Sequence, residues 1–426
     1  MELKGKKIMV LGGAFQHCKV VESAKELGMT VYVTDYLPNS PAKKMADVAL
    51  MFDVKNIDGI VDYCKREKID GVINTSLDPC QIPYQEICEK LNLPCFGTRK
   101  QFMYLTNKAE FKKICGKYGV PVINSYSADD IKRYSETNKC IDFPILIKPA
   151  DSRGSRGQTV CYDICSAREA LCTAKNESAA GRVIIEKYMN NYEDFTVAYI
   201  FIDGRAFIVR TGDRYVGAED EGLNKVAIAS ASPSKYTDLY LKYTNEKVIK
   251  MLKGIGIKNG PVFMQGFRDG NDIRFYDPGY RFSGGEYERL FKIATGIDLI
   301  KMLVKFAISG KIEDNEISEN SVFLNGRRIM QLCPTITSGK ICAVYGKYDI
   351  LSLKQTVTFS ERYKVGESIP ECDDVRRRFA EICTLCENQA EEIDTVTKIQ
   401  EYLSVLNEKG EEMICNKLDL DLLKNI

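Results

Sequence analysis

The first hundred residues alternate apolar strand-like segments with amphipathic helix-like segments, and this alternation constrains the fold more than any other feature. Three strand-like runs (KIMVLGG, TVYVTDY and IDGVINTS) are separated by two helix-like runs (VVESAKELGM and IDGIVDYCKREK). Such βαβαβ alternation is typical of a parallel sheet covered by helices. The sequence therefore predicts a doubly wound parallel domain at the N-terminus. The whole chain has 426 residues, enough for two or three domains.

The turn after the first strand resembles a dinucleotide-binding turn, but its spacing is incomplete. The segment GGAFQH has two adjacent glycines and lacks the full GxGxxG pattern. Asp35 follows the second strand, where it would either bind a ribose or serve as an ordinary polar residue at the sheet edge. This turn alone does not decide between the two readings.

Charge and reactive residues exclude several classes of function. The formal net charge is +1, which predicts no general attraction to nucleic acid or to a membrane surface. No apolar run reaches the roughly 18–20 residues that span a bilayer. Sixteen cysteines without a secretory signal predict reduced thiols and a cytoplasmic protein. His17 is the only histidine, and the single CxxC, Cys383 and Cys386, falls in a predicted helix over 373–391. Zinc or Ser-His-Asp chemistry is therefore disfavoured.

A basic, glycine-containing loop follows a predicted buried strand over 143–147. Lys148 closes that strand, and the loop ADSRGSRG comes next. Glycines let the backbone approach a ligand, while lysine and arginine supply positive charge, so phosphate binding is favoured over a solvated turn. Farther on, Glu186 ends an apolar strand and Glu193 and Asp194 follow. These carboxylates suit a purine amino group or a ribose hydroxyl, although a charged turn explains them equally well.

Two hairpins are predicted. The first turns through Asp203 and Gly204 in DFTVAYIFIDGRAFIVRTGDR, and the second places two oxygen-bearing side chains opposite one another. In PVFMQGFRDGNDIRFYDPGYRFSGG, a turn centred on Asn271 would set Gln265 across from Asp277, with Cβ atoms about 4.5–5.5 Å apart. Two such ligands suit a hard cation that also binds phosphate oxygens, although a hairpin with polar ends is the competing reading. Arg281 and the segment SGG follow, where another anion would bind.

Taken in chain order, these motifs resemble the ATP-grasp superfamily, in particular its carboxylate–amine ligases and its carbamoyl-phosphate-synthase-like and biotin-carboxylase-like members. The motifs are TNK, IKP with its glycine-rich loop, EKY, and two metal ligands twelve residues apart. The resemblance implies three regions: a Rossmann-like domain over 1–105, an ATP-grasp domain over 106–310 with a lid at about 120–190, and a strand-rich region over 311–426. It also implies ATP and Mg²⁺, with Mn²⁺ as an alternative metal.

The resemblance further implies roles for particular residues. Lys108 and Lys148 would contact the phosphates, Gln265 and Asp277 would bind the metal, and Arg281 would hold the substrate carboxylate. The lid loop would fold over the triphosphate, with Arg156 assisting catalysis. Glu186 and the backbone of Lys187 and Tyr188 would meet the adenine, and Glu193 or Asp194 the ribose. The remaining loop residues are Ser152, Arg153, Gly154, Ser155 and Gly157.

Two departures from the family pattern bear on activity. The family's first metal ligand is usually glutamate, and its second motif usually reads Glu-x-Asn, where this chain has Asp277-Pro278-Gly279. One charge and one ligand are therefore missing, which predicts a weaker Mg²⁺ site unless Glu286 or Glu288 compensates. Arg210 and Arg214 are further candidates for a substrate carboxylate.

The function implied is an ATP-dependent ligase that activates a small carboxylate as an acyl phosphate for attack by an amine. Positioning and charge neutralisation would carry most of the catalysis. The alternatives are a nucleotide-binding protein with weakened catalysis and a bicarbonate-activating enzyme of the carboxylase type. The expected partners are a small carboxylate and an amine, with a homodimer as the expected assembly and neither nucleic acid nor membrane involved.

Overall fold

The structure of the protein is a computed structural model. It describes residues 2–135, 137–149, 158–178, 181–189, 193–217, 226–313, 317–372 and 375–424. The N-terminal unit has a four-stranded parallel sheet of order β3-β2-β1-β4. Its strands are β1 (Lys7–Leu11), β2 (Thr30–Thr34), β3 (Val48–Leu50) and β4 (Gly71–Ile73). Its helices are α1 (Cys18–Glu26), α2 (Pro41–Met45), α3 (Ile57–Glu67), α4 (Gln81–Leu91), α5 (Arg99–Thr106) and α6 (Lys108–Tyr118).

This unit confirms the predicted doubly wound domain. Strand residues such as Ile8, Val31 and Val72 are fully buried because helices cover the sheet, which is why these strands read as continuous apolar runs. At the carboxyl edge, the Asp35 carboxylate accepts a 2.6 Å hydrogen bond from the Gly13 backbone N–H. Asp35 thus holds the turn after β1.

A small antiparallel sheet of order β5-β8-β6-β7 forms the next unit, which we call the lid. It packs an apolar core of its own against α8, with Ile145, Ile147 and Ala170 among the buried residues. The lid elements are β5 (Ser125–Tyr126), α7 (Ala128–Arg133), β6 (Ile145–Pro149), β7 (Thr159–Cys161), α8 (Ile164–Glu177) and β8 (Val183–Lys187). The loop residues predicted to cover the triphosphate, 152–157, lie outside the described residues.

The largest sheet has eight strands in the order β13-β12-β9-β10-β11-β14-β20-β18. The predicted hairpin through Asp203 and Gly204 is confirmed, since both residues have positive φ (46° and 81°) as a tight hairpin turn requires. The elements up to residue 310 are β9 (Asp194–Ile202), β10 (Arg205–Val216), β11 (Ala227–Ser232), α9 (Thr237–Tyr243), α10 (Asn245–Gly254), β12 (Gly260–Asp269), β13 (Asp272–Gly279), α11 (Tyr287–Thr295) and α12 (Leu299–Ser309).

The remaining chain is rich in strands, as predicted, and three of its strands extend the large sheet. These are β14 (Arg328–Leu332), β18 (Thr356–Glu361) and β20 (Ala380–Cys386). The other elements are β15 (Thr335–Ile336), β16 (Gly339–Lys340), β17 (Ala343–Tyr345), α13 (Lys347–Ser352), β19 (Ser368–Ile369), α14 (Gln389–Tyr402), β21 (Ser404–Leu406), β22 (Ile414–Asn416) and α15 (Asp421–Lys424).

The predicted helix over 373–391 is wrong. Strand β20 lies in the middle of this stretch, and α14 begins only at Gln389. Cys383 and Cys386 therefore lie on a strand, where both are buried as free thiols. Within the described ranges, no group of three or more histidine, cysteine, aspartate or glutamate residues is arranged to hold a metal ion. Nor is any helix there both long and apolar enough to cross a membrane.

Candidate active site

Lys148 and Glu186 meet on the lid sheet, because β6 and β8 are hydrogen-bonded neighbours. The Lys148 Nζ lies 3.2 Å from Glu186 Oε2, and Lys112 of α6 places its Nζ 2.6 Å from Glu186 Oε1. Burial raises the pKa of Glu186, but the two ammonium groups outweigh it and leave the pKa below its ordinary value. Glu186 is therefore an ionised acceptor. Lys112 was not predicted, and its position in TNKAEFKK, four residues after Lys108, is the one signal that would have shown it.

The two residues after Glu186 have their backbone N–H groups engaged. The Lys187 N–H donates to the Asn124 carbonyl and the Tyr188 N–H to the Pro144 carbonyl, both over 2.9 Å. The Lys187 ammonium also lies 2.8 Å from Asp142. These two N–H groups are therefore not free to bind an adenine, and adenine contacts with Glu186, Lys187 and Tyr188 stay a prediction.

The structure distinguishes Glu193 from Asp194. Asp194 begins β9 and is only 1% exposed, in an ion pair with Arg214 whose Nε–Oδ2 distance is 2.5 Å. Burial raises the pKa of Asp194 to about 6, although Arg214 opposes the rise. The Glu193 side chain is 33% exposed and pairs with Arg268 over 3.0 Å. Of the two, only Glu193 is accessible enough to meet a ribose hydroxyl.

Gln265 and Asp277 are directly opposed across β12 and β13, as expected. The expected turn centre at Asn271 is wrong, because the turn is a tight one in which Asp269 pairs with Asp272. A register shift beside Gln265 inserts one extra residue on β13 and restores the opposition of the predicted pair. The metal-binding role of the pair stays a prediction.

The donor set around this pair fits a hard cation, with few protein ligands. An amide oxygen and a carboxylate are both oxygen ligands, which Mg²⁺ prefers together with water and phosphate oxygens. The Lys108 ammonium lies 3.2 Å from Asp277 Oδ1 and would share that carboxylate with the cation. At Gly279 an added Cβ would lie 3.0 Å from Arg281 Cγ, so that space is taken by the arginine. One Mg²⁺ that is held mostly by phosphate oxygens fits these residues.

The two carboxylates expected to compensate are engaged elsewhere. Glu286 pairs with Arg289, whose Nε is 2.8 Å from its Oε2. Glu288 forms a buried ion pair with Lys19 of α1. Neither lines the cleft beside the metal pair.

A cleft of about 670 Å³ opens beside Gln265 and runs along one face of the large sheet. Arg281 lines it and is held by Asp78, with distances of 2.5 Å from Nε and 2.8 Å from Nη2 to the two carboxylate oxygens. Such a bidentate pair fixes the guanidinium in one plane. Asp78 was not predicted, since it is 203 residues away in the sequence.

Arg210 and Arg214 also line this cleft, but only Arg214 forms an ion pair with a carboxylate. Arg214 has Asp194 as a counter-ion. Arg210 is 5% exposed and donates only to neutral oxygens, those of Ser283 (2.6 Å), Ser230 (3.1 Å) and Gln331 (3.2 Å). Burial lowers the pKa of Arg210, while the nearby Tyr287, Glu288 and Glu381 oppose the fall without accepting a hydrogen bond from it. A buried cation without a carboxylate partner is costly unless an anion joins it.

Comparisons with known proteins agree with this architecture. The family described as "Carbamoyl-phosphate synthase L chain, ATP binding domain" matches residues 107–315, and "PylC-like, N-terminal domain" matches residues 8–82. A formate-dependent phosphoribosylglycinamide formyltransferase from Prochlorococcus marinus is 25% identical over 272 residues, which are 62% of this chain and 68% of that protein. The 2-oxoglutarate carboxylase small subunit of Hydrogenobacter thermophilus is 22% identical over 344 residues, 76% of this chain and 70% of that protein.

Solved structures of the same fold cover nearly the whole chain. Phosphoribosylglycinamide synthetase from Anaerococcus prevotii superposes with a TM-score of 0.76 at 17% identity, over 95% of this chain and 100% of that one. An L-amino acid ligase from Bacillus licheniformis gives 0.73 at 16% identity, over 95% and 99%. The biotin carboxylase domain dimer of H. thermophilus 2-oxoglutarate carboxylase, in complex with MgADP, ADP and bicarbonate, gives 0.71 at 18% identity, over 94% and 91%.

Proposed function

Since the chain belongs to the ATP-grasp superfamily, we propose that it is an ATP-dependent carboxylate–amine ligase, which forms an amide bond and releases ADP and phosphate. The observation that carries this proposal is that Gln265, Arg281 and Arg210 line one cleft. A cation held at Gln265 and Asp277 would therefore lie beside arginines suited to a carboxylate.

The chain's own residues would act mainly by positioning and charge. ATP with Mg²⁺ would supply the γ-phosphoryl group that converts the carboxylate to an acyl phosphate. Lys148 and Lys108 would contact the phosphates, as would Arg156 and the rest of the lid loop. Arg281, already fixed by Asp78, would hold the carboxylate in line for transfer. The amine would then attack the acyl carbon and displace phosphate.

The test is an ADP-release assay with pairs of carboxylates and amines. We expect ADP release to require both reactants, and Lys148→Ala to abolish it while Lys175→Ala, an exposed lysine of the same lid, retains wild-type turnover. Turnover within a few-fold of wild type in Lys148→Ala would contradict the phosphate role.

Two alternatives are distinguished by the same assay. Weakened catalysis is favoured by the neutral Gln265 and by Lys108 close to Asp277, and it predicts ATP binding without ADP release in any pairing. Bicarbonate activation predicts ADP release with bicarbonate and no amine.

We also propose that Mg²⁺ rather than Mn²⁺ is the working metal, that the protein is cytoplasmic, and that it forms a homodimer. A structural relative described as a dimer supports the last point.

A further inference from the structure

Two arginines from the C-terminal strands line the cleft at the other edge of the large sheet. Arg362 directly follows β18 and Arg378 lies two residues before β20. Neither forms an ion pair with any residue in the described part of the chain. Arg362 donates from Nη1 to the Val375 carbonyl, a neutral acceptor, over 3.3 Å.

Arg378 is fixed in orientation by a backbone oxygen. Its Nε and Nη2 both donate to the Ala227 carbonyl, over 3.1 and 2.8 Å. Burial lowers the pKa of Arg378, and the like charges of Arg362 and Arg214 lower it further, against the opposing effect of Glu381. The guanidinium is thus preorganised and lies close to other cations, an arrangement that an anion would stabilise.

The carboxylates that line the cleft already have hydrogen-bond or ion-pair partners. Glu361 pairs with Lys347, whose Nζ lies 2.7 Å from it. Glu381 accepts from the Glu286 backbone N–H over 3.2 Å and from Gln331 Nε2 over 3.3 Å. Glu381 is nevertheless close enough to raise the pKa of Arg378, so among the described residues one carboxylate partly offsets two guanidinium charges and the arginine pair keeps a net positive charge.

We infer that Arg362 and Arg378 bind an anionic group on the amino substrate, either a carboxylate or a phosphate monoester. This inference rests on the proposed function. The carboxylate to be activated must lie next to the metal pair, on β12 and β13, where Arg281 and Arg210 serve it. Arg362 is six strands away from β12 in the sheet order. The second reactant would therefore enter from that side, with its amine directed toward the acyl phosphate and its anion on the arginine pair.

Calorimetric titration in saturating MgADP tests this without requiring turnover. The probes are O-phosphoethanolamine, glycine and ethanolamine, which carry a phosphate, a carboxylate and no anion. We expect one of the two anionic amines to bind at least tenfold more tightly than ethanolamine. Arg362→Ala and Arg378→Gln should each weaken that binding roughly tenfold or more, with partial recovery in Arg378→Lys.

The controls separate a local effect from misfolding and from failure of the proposed reaction. Lys364→Ala removes a cation from the same exposed loop without touching the cleft lining and should bind like wild type. MgADP affinity should be unchanged in every variant. Preference for O-phosphoethanolamine assigns a phosphate and preference for glycine a carboxylate. Equal binding of all three probes, or anion binding unaffected by both substitutions, overturns the inference. If anion binding depends on the arginines but no pair of reactants gives ADP release, the anion site stands and the proposed ligase function fails.

Discussion

The affinity of the proposed cation site at Gln265 and Asp277 should depend on single residues. Gln265 contributes an amide oxygen where a glutamate would contribute a charge, and Asp277 already has the Lys108 ammonium 3.2 Å away. Charge on the ligands largely sets affinity for a hard cation. The site should therefore depend on the phosphates of bound nucleotide for most of its metal affinity.

Restoring the charge should tighten metal binding. For Gln265→Glu we expect Mn²⁺ affinity in the presence of ADP to rise roughly tenfold, because a second carboxylate then faces Asp277. Calorimetry measures this directly. Gln16→Glu is the matched control, since Gln16 also lines the cleft but belongs to the turn after β1. An equal gain in both variants would mean that general cleft charge, and not the opposed pair, binds the metal.

His17 should make the free energy of unfolding depend on pH. Its ring is fully buried, with Nδ1 2.8 Å from the Gly12 carbonyl, and burial lowers its pKa from 6.5 to about 4. The unfolded chain takes up a proton below pH 6.5 that the folded chain refuses, so stability is lost as the pH falls toward 4. The loss is roughly 3 kcal/mol.

Urea denaturation at pH 7 and pH 4.5 should detect about 2 kcal/mol of this loss, since the rest occurs below pH 4.5. His17→Gln should lack that part of the pH dependence, and the single imidazole resonance of the wild type should not titrate above pH 5. An equal pH dependence in both proteins would refute this assignment.

At the scale of elements, α1 of the N-terminal unit is tied to α11 by a buried ion pair. Lys19 and Glu288 have side chains that are 5% and 2% exposed, and Lys19 also donates to the Gly285 carbonyl over 2.6 Å. Because Gly285 belongs to the SGG segment that lines the cleft, this pair connects the packing of α1 to the shape of the site.

Removing one partner of that pair should be costly. We expect Glu288→Gln to lower the free energy of unfolding by roughly 3–5 kcal/mol, since Lys19 would remain buried without a counter-ion. Asp58→Asn, which breaks an exposed pair with Lys90, should leave the free energy of unfolding almost unchanged. Chemical denaturation compares the two. Equal losses would show that burial of the Lys19 pair is unimportant.

Elements with local signals were predictable, and those that depend on distant partners were not. The βαβ alternation could be read from spacing alone. The opposition of Gln265 to Asp277 was predicted from a wrong turn centre, and it holds only because the extra residue on β13 compensates for that error. Strand β20 could not, because it is buried on both faces and a short continuous apolar run has no period that separates strand from helix. The contacts of Arg281 with Asp78 and of Arg378 with Ala227 join residues 203 and 151 positions apart, which no local pattern encodes.

At the scale of the whole molecule, the C-terminal strands are part of the central sheet. Strand β14 pairs with β11, and buried residues on both, such as Ile228 and Met330, share one apolar core. Removing β14 would expose that core and leave β11 as an unpaired edge, which favours aggregation.

A chain that ends at residue 326 should therefore not fold as an independent unit. We expect it to aggregate, and its soluble fraction to lack cooperative unfolding. Size-exclusion chromatography and thermal denaturation measure both properties. A monomeric fragment that binds ATP and unfolds cooperatively would contradict this view of the sheet.

The strand order of the large sheet also fixes how far apart the two ends of the cleft lie. The cleft lining takes residues from consecutive strands, beginning with Gln265 on β12 and passing Thr196, Ser230 and Gln331 to Glu361 on β18. Each step between neighbouring strands adds about 4.8 Å and is fixed by backbone hydrogen bonds. The spacing between the two anion-binding ends is thus a property of the main chain. Side-chain substitutions would change which charges are accepted and would leave the spacing of the strands beneath them unchanged.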